Sequence, residues 1–257
     1  MTAAKPNLLA RYRFARNIGF RFILLRLAAA VLCPRYRLRY SNLDWMADPA
    51  FERFLHNFDE AHPLRSINAG RRFMVSQLLR LTEQVPGDTA ECGVYLGASS
   101  YLIASFISRS SLEKTHHLFD SFDGLSLPIA ADGEHWRQHD LKVERNEAER
   151  RLSKFQNLRF YKGWIPERFG EVSNCRFSFV HIDVDLYEPT RDSIEFFYPR
   201  MNPGGIILCD DYGVSSCPGA TKGVDEFLID KPEKMVALSD GAGFLIKGVL
   251  TAPPYIE

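Results

Sequence analysis

The stretch SFVHIDVDLYEP, residues 178–189, decides how this chain is read, because an apolar run with strand character ends there in two aspartates two positions apart. Side chains alternate along a strand, so a strand over 177–185 places His181, Asp183 and Asp185 on one face. Like charges crowded together are unfavourable without a compensating cation. Working outward, the flanking sequence alternates strand-like and helix-like segments. Strands are expected at 89–94, 116–120, 158–163 and 204–211, and helices at 99–110, 142–155, 189–201 and 220–229. That order predicts an α/β fold with a mostly parallel sheet. Two last strands within 234–248, joined by a Gly-rich turn, form an antiparallel hairpin at the sheet edge.

With 257 residues, 46% of them hydrophobic, the chain can bury a large core. The 32 basic and 32 acidic residues balance, which argues against a nucleic-acid partner. The balance is uneven along the chain. Residues 1–43 hold nine basic residues and no acid, and the shift near Asp44 is taken as the domain boundary. A basic, partly apolar arm (1–43) then precedes one domain (44–257), made of a helical cap over 44–88, with helices at 51–61 and 65–85, and a sheet over 89–248. Five cysteines without CxxC spacing indicate neither a disulfide framework nor a zinc site, and a reducing, cytoplasmic setting is expected. The apolar run FILLRLAAAVLC at 22–33 is interrupted by Arg26 and is shorter than the ~20 residues of a membrane span. It is also a poor signal peptide.

Ligands of open α/β sheets sit beyond the carboxyl ends of the strands, where three features gather. In AECGVYLGASS (90–100), a strand runs into Gly93, turns through Gly97 and opens a helix at Ser99 and Ser100. The GxxxG spacing lacks the GxGxxG of dinucleotide sites, and no GKS or GKT occurs, so a nucleoside without a pyrophosphate fits better than a dinucleotide or a P-loop ligand. In LFDSFDGL (118–125), Asp120 ends the next strand and is placed to accept both ribose hydroxyls. The third feature is HIDVDLY with LCDDYG, which brings Asp183, Asp185, Asp210 and Asp211 to adjacent strand ends. Two charges ~4 Å apart repel by about 4 kcal/mol at an effective dielectric of 20, so the group asks for protonation, divergence or a divalent ion such as Mg2+. Trp164, after the third strand, can flank a flat base or pack in the core, and His181 reads as a packing or hydrogen-bonding residue.

Five blocks in order, ECGVYLGAS, FDSFDGL, KGWIPERF, HIDVDLYEPT with YPRMNPGGIILCDDY, and ATKGVDEF, resemble the macrocin O-methyltransferases, a branch of the class I S-adenosylmethionine-dependent enzymes, over about 89–230. The resemblance implies a Rossmann-like, seven-stranded sheet with a helical N-terminal extension and adenosylmethionine over the first strand ends. It further implies that Glu91, Gly93, Tyr95 and Ser99 surround the methionine and ribose, that Asp120 with Ser121 binds the ribose, and that Trp164 lies near the adenine. Asp183, Asp210 and Asp211 match metal ligands, and Asp185 matches the general base, with Asp183 beside it in the catalytic set. The implied acceptor is a hydroxyl on a sugar of a glycosylated natural product or polysaccharide. Residues 126–155 correspond to a lid-like insertion, of which SLPIAADGEHWRQHD (126–140) departs from the family's wording.

Other chemistries account for less. In a haloacid-dehalogenase phosphatase the DxD strand comes early in the catalytic domain, and the glycine turn is left without a role. A metal-dependent glycosyltransferase using DxD leaves the glycine turn and Asp120 unexplained. A nicotinamide-dependent reductase lacks its GxGxxG turn and any YxxxK pair. The arm has two readings: an amphipathic element on an anionic membrane surface, or a packing element against the catalytic domain or a second subunit.

Overall fold

The structure, a computed structural model, describes residues 23–33, 45, 48–59, 69–239 and 241–252. It divides into two compact units, Met1–Ala69 and Gly70–Glu257, a break later in the chain than the compositional shift near Asp44. In the first unit, residues 23–32 form helix α1 and Pro49–Asp59 form α2. Asp48 explains where α2 begins: its Oδ1 accepts the backbone N–H groups of Ala50 (2.8 Å) and Phe51 (2.9 Å), and Pro49 takes the first helical position, where no N–H is needed. Phe51 meets Trp45 edge to face (5.6 Å) and Phe54 at a tilt (5.5 Å). Asp48→Ala should cost α2 about 1 kcal/mol; faster amide exchange confined to 49–55 is the expected readout.

In the second unit, helix α3 (Ala69–Leu79) leads into a seven-stranded sheet: β1 Asp88–Cys92, β2 His116–Asp120, β3 Leu158–Lys162, β4 Phe177–Ile182, β5 Met201–Cys209, β6 Val236–Ala237 and β7 Gly243–Ile246. The strand order is β3-β2-β1-β4-β5-β7-β6. The first five strands pair in parallel and β7 runs antiparallel to both β5 and β6, so the expected C-terminal hairpin is present at the edge. Chain direction along the sheet reverses between β1 and β4, which opens a crevice at their carboxyl ends.

Both sheet faces are covered, which is why β4 is buried along its whole length. Ala90, Cys92, Phe119, Val180 and Ile182 pack with α6 (Tyr187–Phe197) and α7 (Pro218–Leu228) through Ile194, Phe197, Val224 and Leu228. On the opposite face, Phe179, Ile206 and Leu208 meet Val75, Leu78 and Leu79 of α3 and Ile103 of α4 (Ala98–Ile107). Helix α3 therefore belongs to the core of the sheet unit and is not a separate cap over it. A third cluster joins Leu118, Val94 and Phe122 to Ala148 and Leu152 of α5 (Arg145–Leu152). All five cysteines are free. Among the described residues no helix is long and apolar enough to cross a membrane.

Two expectations need correction. The strand around HIDVD stops at Ile182, and Asp185 sits in the left-handed backbone region (φ 60°), so strand alternation does not put Asp183 and Asp185 on one face. The hairpin's first strand is only two residues long, because Gly241 and Ala242 both take positive φ and turn the chain early.

Candidate active site

Three strand ends meet at the crevice, and the ladder extends past each of them. Gly93 N donates to Phe119 O (2.9 Å), Asp183 N to Cys92 O (2.8 Å) and Asp210 N to Ile182 O (2.8 Å). Gly93 has φ +84°, and a Cβ there would fall 1.8 Å from the Asp183 carbonyl oxygen. The glycine is thus required by the neighbouring strand's own backbone before any ligand is considered. Asp120 ties the first two turns together. Its Oδ2 accepts from Val94 N and Tyr95 N, both at 2.8 Å, and its Oδ1 from Phe122 N at 2.6 Å. Three of the roughly four acceptor positions of the carboxylate are then occupied. Tyr95 is held with positive φ by that bond, and Ser121 closes the next turn by donating to Gly124 O (2.9 Å). Trp164 lies just beyond β3, partly exposed, out of the packed core.

The acidic residues assemble into two pairs instead of one quartet. Donor atoms of Asp183, Asp210 and His181 lie within 4.8 Å of one another, and so do those of Asp185, Asp211 and Cys217. Asp211 Oδ2 accepts the backbone N–H of Asp185 at 2.9 Å, and the Cys217 thiol donates to Asp185 Oδ1 at 3.5 Å. The DxD motif therefore does not present Asp183 and Asp185 as one chelating pair, which removes the geometric basis for the glycosyltransferase reading. The predicted ligand trio is likewise split, with Asp183 and Asp210 together and Asp211 facing Asp185.

The compensating cations come mainly from α3, a source the strand pattern does not indicate. Arg71 Nη1 lies 2.9 Å from Asp210 Oδ2 and 4.0 Å from Asp211 Oδ1. Arg72 reaches Asp183 Oδ2 (3.3 Å), Asp210 Oδ1 (3.6 Å) and the Ser99 hydroxyl. His181, fully buried on β4, bridges Glu91 Oε1 (3.1 Å) and Asp210 Oδ1 (3.4 Å), and Glu91 also accepts from Ser100 Oγ. Its sequence reading as a hydrogen-bonding residue holds. Arg72 lies three and seven positions before Val75 and Leu79 and shares their inward face.

The charges are arranged for strong coupling. Burial pushes the Glu91 carboxyl up, but hydrogen bonds from His116 and His181 outweigh it and hold the group at about 2. Burial lowers His181, yet Asp210 and Glu91 raise it to about 10, so the imidazole is a cation at neutral pH. Asp210 is depressed despite burial by Arg72 and His181. Asp185 goes the other way, pushed up to about 7 by burial and by Asp183, and Asp211 rises through burial and Asp185. Five carboxylates (Glu91, Asp183, Asp185, Asp210, Asp211) face three cations (Arg71, Arg72, His181), leaving two negative charges when all are ionised.

The 126–155 segment is anchored beside this cluster by a residue absent from the sequence prediction. Buried Asp132 accepts the N–H groups of Ile129 (2.8 Å) and Tyr187 (2.6 Å), so it caps the first turn of α6 from a distance in sequence. Trp136 Nε1 donates to Cys217 Sγ at 3.3 Å, next to Asp185.

With this geometry in hand, comparison with known proteins is specific. Residues 73–232 match the family described as Macrocin-O-methyltransferase (TylF). The chain is 29% identical over 153 residues to the 8-demethyl-8-(2,3-dimethoxy-alpha-L-rhamnosyl)-tetracenomycin-C 4'-O-methyltransferase of Streptomyces olivaceus, covering 54% of this chain and 58% of that protein. It is 29% identical over 156 residues to the Demethyldecarbamoylnovobiocin O-methyltransferase of Streptomyces niveus, covering 56% and 58%. The chain thus spans about three fifths of the length of the curated relatives it matches. In fold it is similar to the O-methyltransferase NovP (TM-score 0.60, 23% identity, 71% of this chain and 81% of that one). A calicheamicin methyltransferase is similar as well (TM-score 0.62, 21% identity, 78% and 87%). The match over 73–232 takes in both turns and the acidic strand ends and begins one residue after Arg72, and on that span the chain belongs to the macrocin O-methyltransferase family.

Proposed function

We propose that this chain transfers a methyl group from S-adenosylmethionine to a hydroxyl of a sugar on a glycosylated small molecule or polysaccharide, with a divalent cation, Mg2+ by ligand type, held at the acidic cluster. The observation that carries the reading is the excess of carboxyl groups, five against the three cations Arg71, Arg72 and His181, set at the crevice between β1 and β4. Hard carboxylate oxygens in that number fit one divalent cation. The curated relatives support the acceptor class, since they are named for methylation of tetracenomycin and novobiocin precursors.

Asp183 and Asp210, which lie together, would hold the ion with Asp211 turned in from its bond to the Asp185 N–H, and Arg71, now bridging Asp210 and Asp211, would have to withdraw. The chemistry such an ion would supply is acidification of the acceptor hydroxyl, which is a poor nucleophile unaided. Adenosylmethionine would supply the methyl group, leaving adenosylhomocysteine as the second product. Asp185 takes the hydroxyl proton; a carboxylate raised to about 7 is well matched to that task near neutral pH. Glu91, Gly93, Tyr95 and Ser99 would hold the methionine side, Asp120 with Ser121 the ribose, and Trp164 the adenine. Asp132 and Trp136 fix the 126–155 segment over the acceptor side, where it excludes water.

Titration calorimetry tests this without turnover. Adenosylhomocysteine should bind one to one, Mg2+ should give a second heat, and Asp183→Ala should lose the Mg2+ heat while keeping the nucleoside. A chain that binds no adenosylhomocysteine at all sinks the proposal.

A further inference from the structure

Nothing in methyl transfer uses α1. Six of the ten residues over 23–32 are large and apolar, and all six are more than half exposed: Ile23 (53%), Leu24 (51%), Leu25 (53%), Leu27 (61%), Val31 (79%) and Leu32 (79%). Three alanines and Arg26 complete the helix, so it is apolar on almost every side. Isolated exposed leucines are ordinary, but a contiguous apolar surface of this kind marks something that covers it.

Charge identifies the cover. The sequence around the helix, residues 1–43, contains nine basic side chains and no acid, including Arg21 and Arg26 beside the apolar run and Arg35, Arg37 and Arg39 after it. A second copy of the same arm would bring nine further cations against the first nine. An anionic lipid surface satisfies both features, because acyl chains take the leucines and headgroups take the arginines, whose long stems reach outward from an apolar bed. Arg26 within the apolar run, with Arg21 before it and Arg35, Arg37 and Arg39 after it, favours a seat in the interface, where the arginine stems reach the headgroups. We infer that the arm of this chain is a peripheral anchor for anionic bilayers, seated through α1 and held by the arginines. The inference stands independently of the methyltransferase reading.

Flotation of the full chain with vesicles tests it. Phosphatidylcholine vesicles containing phosphatidylglycerol should carry up on the order of tenfold more protein than phosphatidylcholine alone, and added salt should reduce the difference. Leu24→Glu, Leu27→Glu and Val31→Glu, on one side of α1, should together return binding to the background level with an unchanged thermal transition of the sheet unit. Arg21→Gln, Arg26→Gln and Arg35→Gln should remove the preference for the anionic lipid. Flotation of the glutamate variant equal to the parent overturns the inference. So does a parent that stays in solution with both vesicle types, or one that sediments as a dimer which the glutamate variant dissolves and anionic vesicles do not; in that case a second copy covers the helix.

Discussion

Arg72→Leu should lower folding stability by about 3–5 kcal/mol at neutral pH, the usual cost of stripping one partner from a buried ion pair. The side chain is only 17% exposed and faces Asp183 and Asp210 together, while Arg71 and His181 make their direct contacts with Asp210. Leucine fills much of the volume and isolates the loss of charge from the loss of packing. The pH dependence separates this from a steric effect. In the parent, the depressed Asp210 carboxyl contributes stability that is present above its ordinary value of 3.8 and fades as pH falls through the folded value. The variant lacks much of that contribution, so the gap between the two proteins should be widest near neutrality and close below about pH 4. Millimolar Mg2+ should recover part of the loss in the variant if a divalent cation can stand in for the guanidinium. Urea unfolding across pH, with and without the ion, reads all of it. A gap that stays constant with pH would assign Arg72 to packing alone.

The contrast between Arg72 and Asp183 also marks what the sequence discloses and what it withholds. Gly93, Asp120, Asp183 and Asp210 were legible because each follows a short apolar run, and strand ends in a parallel sheet converge whatever the detail. The alternation of strands and helices was legible for the same local reason. The strand end at Ile182 was not, because a turn at Asp185 that needs positive φ is stabilised by Asp211 Oδ2 from another strand, a contact no local pattern contains. Arg71 and Arg72 were hidden by distance, lying on a helix more than a hundred residues before Asp183 in a segment that reads as an ordinary amphipathic element. Asp132 was hidden too, since a residue that caps α6 across a loop carries no spacing signature. Where the pattern said only that the acids must be compensated, the fold answered with two arginines and a buried histidine against five carboxyl groups.

Asp185→Asn should lower turnover by about a hundred- to ten-thousand-fold, the range for loss of a general base, and should at the same time stabilise the fold above pH 7. Asparagine tolerates the left-handed backbone at this position (φ 60°), and the N–H that donates to Asp211 is retained, so the turn survives the change. The stability gain follows from the raised acid. A carboxyl at about 7 in the folded chain and near 3.8 when unfolded keeps its proton in the native state over that window while the unfolded chain releases it. Native stability therefore falls as pH rises from about 4 to 7, by up to about 1.4 kcal/mol per pH unit, and levels off beyond. The amide removes this slope and also relieves Asp211, whose own rise is due to burial and to Asp185. Parent and variant should then be close in stability near pH 4 and diverge toward pH 8, with the inactive protein the more stable. Such a trade is expected where a site is kept acidic for its chemistry at the expense of the fold. Thermal unfolding at matched pH beside single-turnover methylation measures both halves. An asparagine variant that is equally active, or one that is less stable at pH 8 than its parent, would show that Asp185 serves the turn and not the proton.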